Sequence, residues 1–478
     1  MRQKVSIKVL FIMTLIATSS FSPSCLALNT ESLDGELTDQ ISKLVESGDI
    51  PSLQVCVVSG NQKWIKGFGE QIEENTVFLV GSIQKVFVSI SILQLYEEDL
   101  IGLDDDVNNY MPFSIRHPEY PDTPITIRML LSHRSGLGGT LPSEFAYDWI
   151  DDNPVEWTRS FSEDLINVSL VDWLEMNLDT EGSLYSSSYW VMEPDTGYSY
   201  SNNGYKILMC VLERVSGQPI QKYMDDNIFT PLQMDHTGFN SSEFIDVHAV
   251  PHTRLYGNDI NIPLPIWNGN YMLRSSASDL GNLMIALMND GVFEGFQLLE
   301  KETTILMSTN MRRSFFVREL LRELRTDGYG MGLEVCNHNL LGHGGSTVGF
   351  TAEFYFNPLK NTGFVRLSNV NAILDYTSEG WRYIGYVNGE IRTKILVKLG
   401  LLPMVDYIWL FPVTGSIIVL IQNREKILKK IRENSFFICM IICLGSQSYK
   451  WESLKKELNS RIWERTWYTY NPLIFDTM

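Results

Sequence analysis

Val77-Phe78-Leu79-Val80-Gly81-Ser82-Ile83-Gln84-Lys85 decides the fold, together with the apolar positions Val86, Phe87, Ile90, Ile92, Leu93 and Leu95 just after it. The stretch before Ser82 reads as a strand ending in glycine. The residues after it are apolar nearly all round, which predicts a buried helix. Ser82 then sits near the helix N-terminus, where free backbone N–H groups favour developing negative charge. Lys85 lies one turn on, on the same face. A buried lysine loses hydration, which lowers its pKa and frees a neutral amine to act as a base. A serine hydroxyl is a weak nucleophile until such a base takes its proton. The spacing alone says little, since Ser453-Leu454-Lys455-Lys456 repeats it among charges with no apolar helix behind it.

Outward from this stretch the chain reads as one α/β unit over residues 30–400. Asp34 to Ser47 carries Leu37, Ile41, Leu44 and Val45 at helical spacing. Leu53 to Val58 is β-rich, and Ser59-Gly60-Asn61 is a turn before Trp64-Ile65. Strand signals return at 332–335, 350–356 and 362–367. Strands at both ends with helices between predict a sheet assembled from distant segments, with a second, helical region inserted.

Composition excludes several functions. The 57 acidic residues against 38 basic ones give a net charge of -19 over 478 residues. Nucleic acid phosphates repel such a chain, so no nucleic acid partner is expected. An apolar fraction of 44% and an aromatic fraction of 12% exclude a disordered chain. Six cysteines without a Cys-x-x-Cys pair exclude a disulfide scaffold and a thiolate zinc site. Seven histidines include no His-Glu-x-x-His. No metal and no cofactor are expected.

The two ends are basic. Arg2, Lys4 and Lys8 precede the apolar run Val9 to Ala17, and Cys25-Leu26-Ala27 closes on a small-x-small pattern. This reads as a secretory signal over residues 1–27, with an uncleaved anchor helix as the alternative. Near the other end, Tyr407 to Ile421 is uncharged and precedes Arg424, Lys426, Lys429, Lys430 and Arg432. A span needs about 20 apolar residues, so the run is short, but its positive flank has the sign of a cytoplasmic side. A second run, Phe436 to Leu444, is too short to cross alone. Residues 401–478 are expected to form a membrane anchor and basic tail; buried helices of a small domain are the alternative. The expected location is exported, at the cell surface or outside. The charges of 1–28 and 401–478 are each +3, which leaves -25 on the domain between them.

Two further motifs carry chemistry. Tyr200-Ser201-Asn202 lies in a Pro/Gly-containing loop ahead of a helix predicted over Tyr205 to Val215. A tyrosine beside cations can shuttle protons, and Asn202 offers a donor and an acceptor to a substrate amide. Tyr386-Val387-Asn388 has the same spacing, so the motif alone is weak. His343-Gly344-Gly345-Ser346 reads as a glycine-rich turn into a strand at 350–356. Its glycines would let backbone approach a substrate, and N–H groups here and at Ser82 could form an oxyanion hole.

In this order, the three motifs resemble the serine β-lactamase and penicillin-binding-protein-like hydrolases, in particular the class C β-lactamase, D-alanyl-D-alanine carboxypeptidase and esterase branch. The similarity runs on through Glu97 to Val107, Tyr110-Met111-Pro112, Ile125 to Leu137, Pro231 to Met234 with Thr237, Ser276 to Leu280, Tyr329 to Leu333 and Leu367-Ser368-Asn369. It covers residues 34–400 or so, within a domain placed at 28–400. The resemblance implies a β-lactamase/transpeptidase-like fold: an antiparallel sheet flanked by helices, plus a mostly helical inserted region. It implies that Ser82 attacks a carbonyl and becomes acylated, while Lys85 and Tyr200 manage the protons. Asn202 would orient the substrate, and the N–H groups of Ser82 and Ser346 would hold the oxyanion. His343, Gly344, Gly345 and Ser346 would line the substrate.

One departure bears on specificity. Typical β-lactamases carry Lys-Thr-Gly where this chain has His343-Gly344-Gly345. Lysine is a fixed cation for a substrate carboxylate, whereas histidine is charged only part of the time near neutrality. This favours an esterase or peptidase over antibiotic hydrolysis. The expected function is therefore a serine hydrolase cleaving an ester or amide of a small molecule or peptide. A D-stereospecific peptidase or carboxypeptidase, a β-lactamase, and a surface binding protein acylated without turnover are the alternatives. His133 and Ser135 fall in a segment that the resemblance marks as a structural loop. The stretch from Thr140 to Glu193, with Trp149, Trp157, Trp173 and Trp190, is expected to shape the pocket.

Overall fold

The structure is a computed structural model that describes residues 33–46, 50–69, 72–139, 168–244, 246–255, 258–261, 272–311, 328–336, 339–347, 349–371 and 391–401. These residues form two compact units. One holds the described residues up to 102 and those of 212–391; the other holds those of 103–211 and 392–401. The helices are α1 (Thr38–Glu46), α2 (Gln84–Glu97), α3 (Ile127–Leu131), α4 (Leu170–Leu178), α5 (Asn202–Ser216), α6 (Ile220–Met224), α7 (Ala277–Met288) and α8 (Lys301–Ser308). The strands are β1 (Ser52–Ser59), β2 (Gln62–Gly69), β3 (Phe78–Leu79), β4 (His252–Leu255), β5 (Asn258–Asn261), β6 (Arg274–Ser275) and β7 (Val292–Phe293). They continue with β8 (Phe296–Gln297), β9 (Gly328–Tyr329), β10 (Glu334–Cys336), β11 (Leu340–Thr347), β12 (Phe350–Asn357), β13 (Thr362–Ser368) and β14 (Val370–Asn371).

The first unit is built on a seven-stranded sheet in the order β2-β1-β13-β12-β11-β10-β9, antiparallel at every neighbouring pair. β1 is buried at every residue, as expected of a strand with partners on both edges and cover on both faces. The expected opening hairpin forms as β1–β2, and the late strand signals form as β10, β12 and β13. The sheet is thus assembled from distant segments: Ser52 donates its N–H to Asn369 Oδ1 at 2.9 Å, across 317 positions. The segment read as a glycine-rich turn differs, because His343 to Ser346 lies inside β11.

Because side chains alternate along each strand, the register sorts them by face. His343 pairs with Phe354, Phe354 with Val365, and Val365 with Cys56, so these four share one row. On that face α7 approaches closely, with Gly281 against Cys56 and Lys63. Ser276 caps α7 by accepting the Asp279 N–H at 3.1 Å. The Asp279 carboxylate in turn accepts from the His236 N–H and the Thr237 hydroxyl, each at 2.8 Å. Burial raises the pKa of that carboxyl.

β3 pairs with β6 and carries the chain into α2. Phe78 meets Phe350 edge to face at 6.3 Å, and Phe87 of α2 meets Phe229 at 5.6 Å. The all-round apolar sequence of α2 has the expected result: Val86, Phe87, Val88, Ile90, Ile92, Leu93 and Leu95 are all buried. Each such side chain contributes about 1.5–3 kcal/mol on leaving water.

In the second unit, Thr126 caps α3 and Ser169 caps α4. Trp173 and Trp190 are buried, and Lys206 Nζ lies 4.2 Å from the Trp173 ring centre. Among the described residues no helix is long and apolar enough to cross a membrane. The stretch expected to be a secretory signal, the runs at 407–421 and 436–444, and residues 140–167 of the segment expected to shape the pocket lie outside the described residues.

Candidate active site

In the first unit, a 3-10 turn over Gly81–Ile83 joins β3 to α2, and the Gln84 N–H closes it on the Gly81 and Ser82 carbonyls. Ser82 therefore stands at the mouth of a buried helix, half-buried itself. Lys85 is 7% exposed and reaches back one turn, donating from Nζ to Ser82 Oγ at 3.1 Å. The predicted pair is in contact. An amine this close to the hydroxyl can also take the proton from it, which turns a weak nucleophile into a strong one.

The turn is pinned from two sides. The Val80 N–H donates to the Leu273 carbonyl, and the Leu273 N–H donates to Gln84 Oε1, both at 3.2 Å. On the sheet side, β11 comes into backbone contact with Val80 and Gly81. A Cβ on Gly345 would fall 2.0 Å from the Val80 carbonyl oxygen. A Cβ on Gly81, whose φ is +54°, would fall 2.7 Å from the Ser346 nitrogen. Glycine at both positions is what permits this approach. It brings the Ser346 nitrogen beside Gly81, the residue that precedes Ser82. Ser346 Oγ accepts from Asn371 Nδ2 at 2.5 Å, and the same amide donates to the Phe350 carbonyl at 3.1 Å.

His343 behaves differently from the expectation that it meets substrate. Its ring is 1% exposed. Nδ1 lies 2.6 Å from the Gly344 carbonyl oxygen and Nε2 lies 3.1 Å from the Tyr329 hydroxyl. A carbonyl only accepts, so Nδ1 carries the proton and Nε2 accepts from Tyr329. Burial, and secondarily the positive charge of Lys85, pushes the His343 pKa down to about 3. The imidazole is neutral at physiological pH, and both nitrogens are engaged. It offers no cation to a substrate carboxylate.

In the second unit, Tyr200 and Asn202 lie where a loop enters α5, which starts three residues earlier than predicted. Ser201 caps this helix: its hydroxyl accepts the Gly204 N–H at 3.1 Å and donates to the Gly138 carbonyl at 2.8 Å. The Asn202 N–H donates to the Gly139 carbonyl at 2.9 Å. The Tyr200 ring lies on His133, centroids 4.4 Å apart. His133 Nδ1 accepts the Ser201 N–H at 3.0 Å, and its carbonyl accepts the Ser199 N–H at 2.9 Å. His133 thus lies in the loop that the resemblance marks as structural, and the bond of Tyr329 to His343 is what sequence reasoning missed. His133 holds a left-handed φ of +57°, a conformation with no signature in composition or period.

A cavity of about 840 Å³ in the first unit is lined by Ser42, Glu46, Lys66, His248, His252 and Asn369 among others, and not by Ser82 or Lys85.

Known proteins resemble this chain along most of its length. The chain is 24% identical over 359 residues to Protein flp of Staphylococcus aureus (strain N315), covering 71% of this chain and 64% of that protein. It therefore spans less than two thirds of that relative. The penicillin-binding protein homologue of Pyrococcus abyssi, an octamer, superposes with a TM-score of 0.61 at 22% identity, over 77% of each chain. The D-stereospecific amidohydrolase of a Streptomyces species superposes with a TM-score of 0.53 at 20% identity, over 72% of this chain and 96% of that one. These likenesses establish the β-lactamase/transpeptidase fold, with its antiparallel sheet flanked by helices. Residues 37–388 match the family described as Beta-lactamase, and the chain belongs to that family.

Proposed function

We propose that the protein is a serine hydrolase that cleaves an ester or amide through an acyl-enzyme on Ser82. The contact between buried Lys85 Nζ and Ser82 Oγ at 3.1 Å carries this reading. Lys85, as the free amine, takes the Ser82 proton while Oγ bonds to the substrate carbonyl carbon. The N–H groups of Ser82 and Ser346 stabilise the oxyanion. Collapse breaks the ester or amide bond, and the alcohol or amine leaves with a proton. Water then attacks the acyl group, releases the acid and restores the Ser82 hydroxyl. Tyr200 as a proton carrier and Asn202 as the group that orients the substrate rest on motif order.

The neutral, buried His343 supports substrates without a carboxylate at the place where relatives have lysine, hence esters and simple amides. In the full chain, Ser82→Ala is expected to abolish labelling by a fluorophosphonate probe. Unchanged labelling would overturn the reading. A second reading, D-stereospecific amide hydrolysis, draws support from the Streptomyces amidohydrolase that shares the fold. Faster turnover of a D-alanyl dipeptide than of a p-nitrophenyl ester would favour it. Export, and anchoring through the C-terminal runs, complete the proposal; recovery of the chain in a cytosolic fraction would count against both.

A further inference from the structure

We propose that Tyr329 and His343 are positioning residues that hold β11 so that its backbone presents the Ser346 N–H beside Ser82. This rests on reading Ser82 as the nucleophile. The row that His343 occupies on the sheet is apolar: Phe354, Val365 and Cys56. A polar ring in such a row must satisfy both nitrogens internally or lose stability. It does so in one direction only. The Tyr329 hydroxyl donates to Nε2, and Nδ1 donates to the carbonyl of the next residue, Gly344.

That second bond matters because Gly344 is joined directly to Gly345. Two consecutive glycines have the widest choice of backbone conformations. The ladder to β12 pairs Gly344 with Glu353 and Gly345 with Ala352 and so defines the strand, but a tilt of the Gly344–Gly345 peptide within it would still misaim the Ser346 N–H. The His343 bond fixes the Gly344 carbonyl, and so the plane of the peptide joining the two glycines. The contact between Gly345 and the Val80 carbonyl fixes the next step. The Ser346 N–H is thus aimed from both sides.

Tyr329 is 1% exposed. It comes from β9, at the edge of the sheet beyond β10. Its hydroxyl selects the tautomer: without that donor, Nε2 would be free to carry the proton and Nδ1 would lose its own. Burial keeps a second proton off the ring. The ring is thereby kept as a one-way relay from Tyr329 to the Gly344 carbonyl.

Two kinds of measurement test this in the full-length chain. The first needs no turnover. Ring 15N spectra of histidine-labelled protein, with His343 assigned by its loss in His343→Asn, are expected to show protonated Nδ1 and bare Nε2 between pH 8 and 5. Tyr329→Phe should shift that pattern. A His343 ring that titrates near 6.5, or that carries its proton on Nε2, overturns the proposal.

The second compares a neutral p-nitrophenyl ester with one bearing a terminal carboxylate. Tyr329→Phe is expected to lower kcat roughly ten- to a hundredfold on both esters with KM nearly unchanged, the mark of a misaimed oxyanion donor. His343→Asn, whose amide can still donate to Gly344, should retain more kcat than His343→Ala. A rise in KM confined to the carboxylate ester, with kcat kept, would make His343 a substrate contact and overturn the proposal. If wild type turns over neither ester and Ser82→Ala labels normally, the reading of Ser82 falls, and the ring spectra still decide whether the relay exists.

Discussion

Two buried histidines, one in each unit, hold backbone for two different motif segments, and they do so with opposite tautomers. His343 on β11 donates from Nδ1 to the Gly344 carbonyl. His133 in the loop after α3 accepts at Nδ1 from the Ser201 N–H, so its proton sits on Nε2. Each is 1% exposed. The strand segment has other supports: the ladder to β12 and the backbone contact of Gly345 with Val80. The loop segment has none of that regularity. Ser199 and Ser201 both hang on the one histidine, and the Tyr200 ring packs against it at a tilt of 41°. A histidine on a strand refines a backbone that the sheet already defines. A histidine in a loop carries a larger share of the definition, here beside the bonds from Ser201 and Asn202 to the Gly138 and Gly139 carbonyls.

The sharpest way to break the comparison is Gly345→Ala. Its Cβ would meet backbone, not a flexible side chain, so β11 or the Ser82 turn must move. A stability loss of about 3 kcal/mol, with near-complete loss of fluorophosphonate labelling, is expected. Thermal melting and labelling rates check both.

Next comes His133→Ala, which removes a buried ring and leaves the Ser201 N–H without its acceptor. A destabilisation of about 2–4 kcal/mol is expected from urea unfolding. His133→Asn, which keeps an acceptor near Nδ1, should recover part of it. An equal loss in both variants would mean that the ring's bulk, not its nitrogen, holds the loop.

Acid should weaken the histidine-supported strands. Burial pushes His343 down to about 3 and His248 down to about 4, while unfolded histidines take a proton near 6.5. The unfolded state therefore binds protons first as pH falls. The stability these two supply is full above pH 6.5 and is lost as pH falls towards 4, by about 2 kcal/mol each between pH 7 and 5. Urea midpoints at the two pH values measure the drop, and His248→Gln should reduce it. The buried Asp279 carboxyl acts with the opposite sign, its pKa being raised.

The smallest effect is expected from Ser346→Ala. The variant loses the hydroxyl that accepts from Asn371 but keeps the N–H that the proposed chemistry uses. Less than threefold in kcat and about 1 kcal/mol or less in stability should be lost.

The same contrast explains what could be read in advance. Ser82 and Lys85 were legible because strand, turn and buried helix succeed one another in nine residues, and one helical turn brings the pair into contact. The β1–β2 hairpin was legible for the same local reason. His343 to Ser346 looked like a turn because glycine pairs usually are turns. Here the glycines answer Val80 and Gly81, more than 250 positions away, and no local pattern reports that. The Tyr329–His343 bond joins two strands whose side chains carry no shared period. Nor did the boundary of the two units at 211/212 leave a trace in composition, since it falls inside α5, within the apolar run from Ile207 to Leu212.

The order of strands in the sheet has a consequence for how the chain is made. β1 and β2 emerge early from the ribosome, but the other neighbour of β1 is β13, and Ser52 must wait for Asn369 across 317 positions. Until β13 arrives, a strand destined for full burial has one open edge. Closing so long a loop adds little to the entropic cost per extra residue, yet it delays the rewarding contacts until β13 has been made. The nascent chain should therefore remain without its central sheet until β13 emerges, and its dependence on holding factors should fall once residues 362–368 are free to pair.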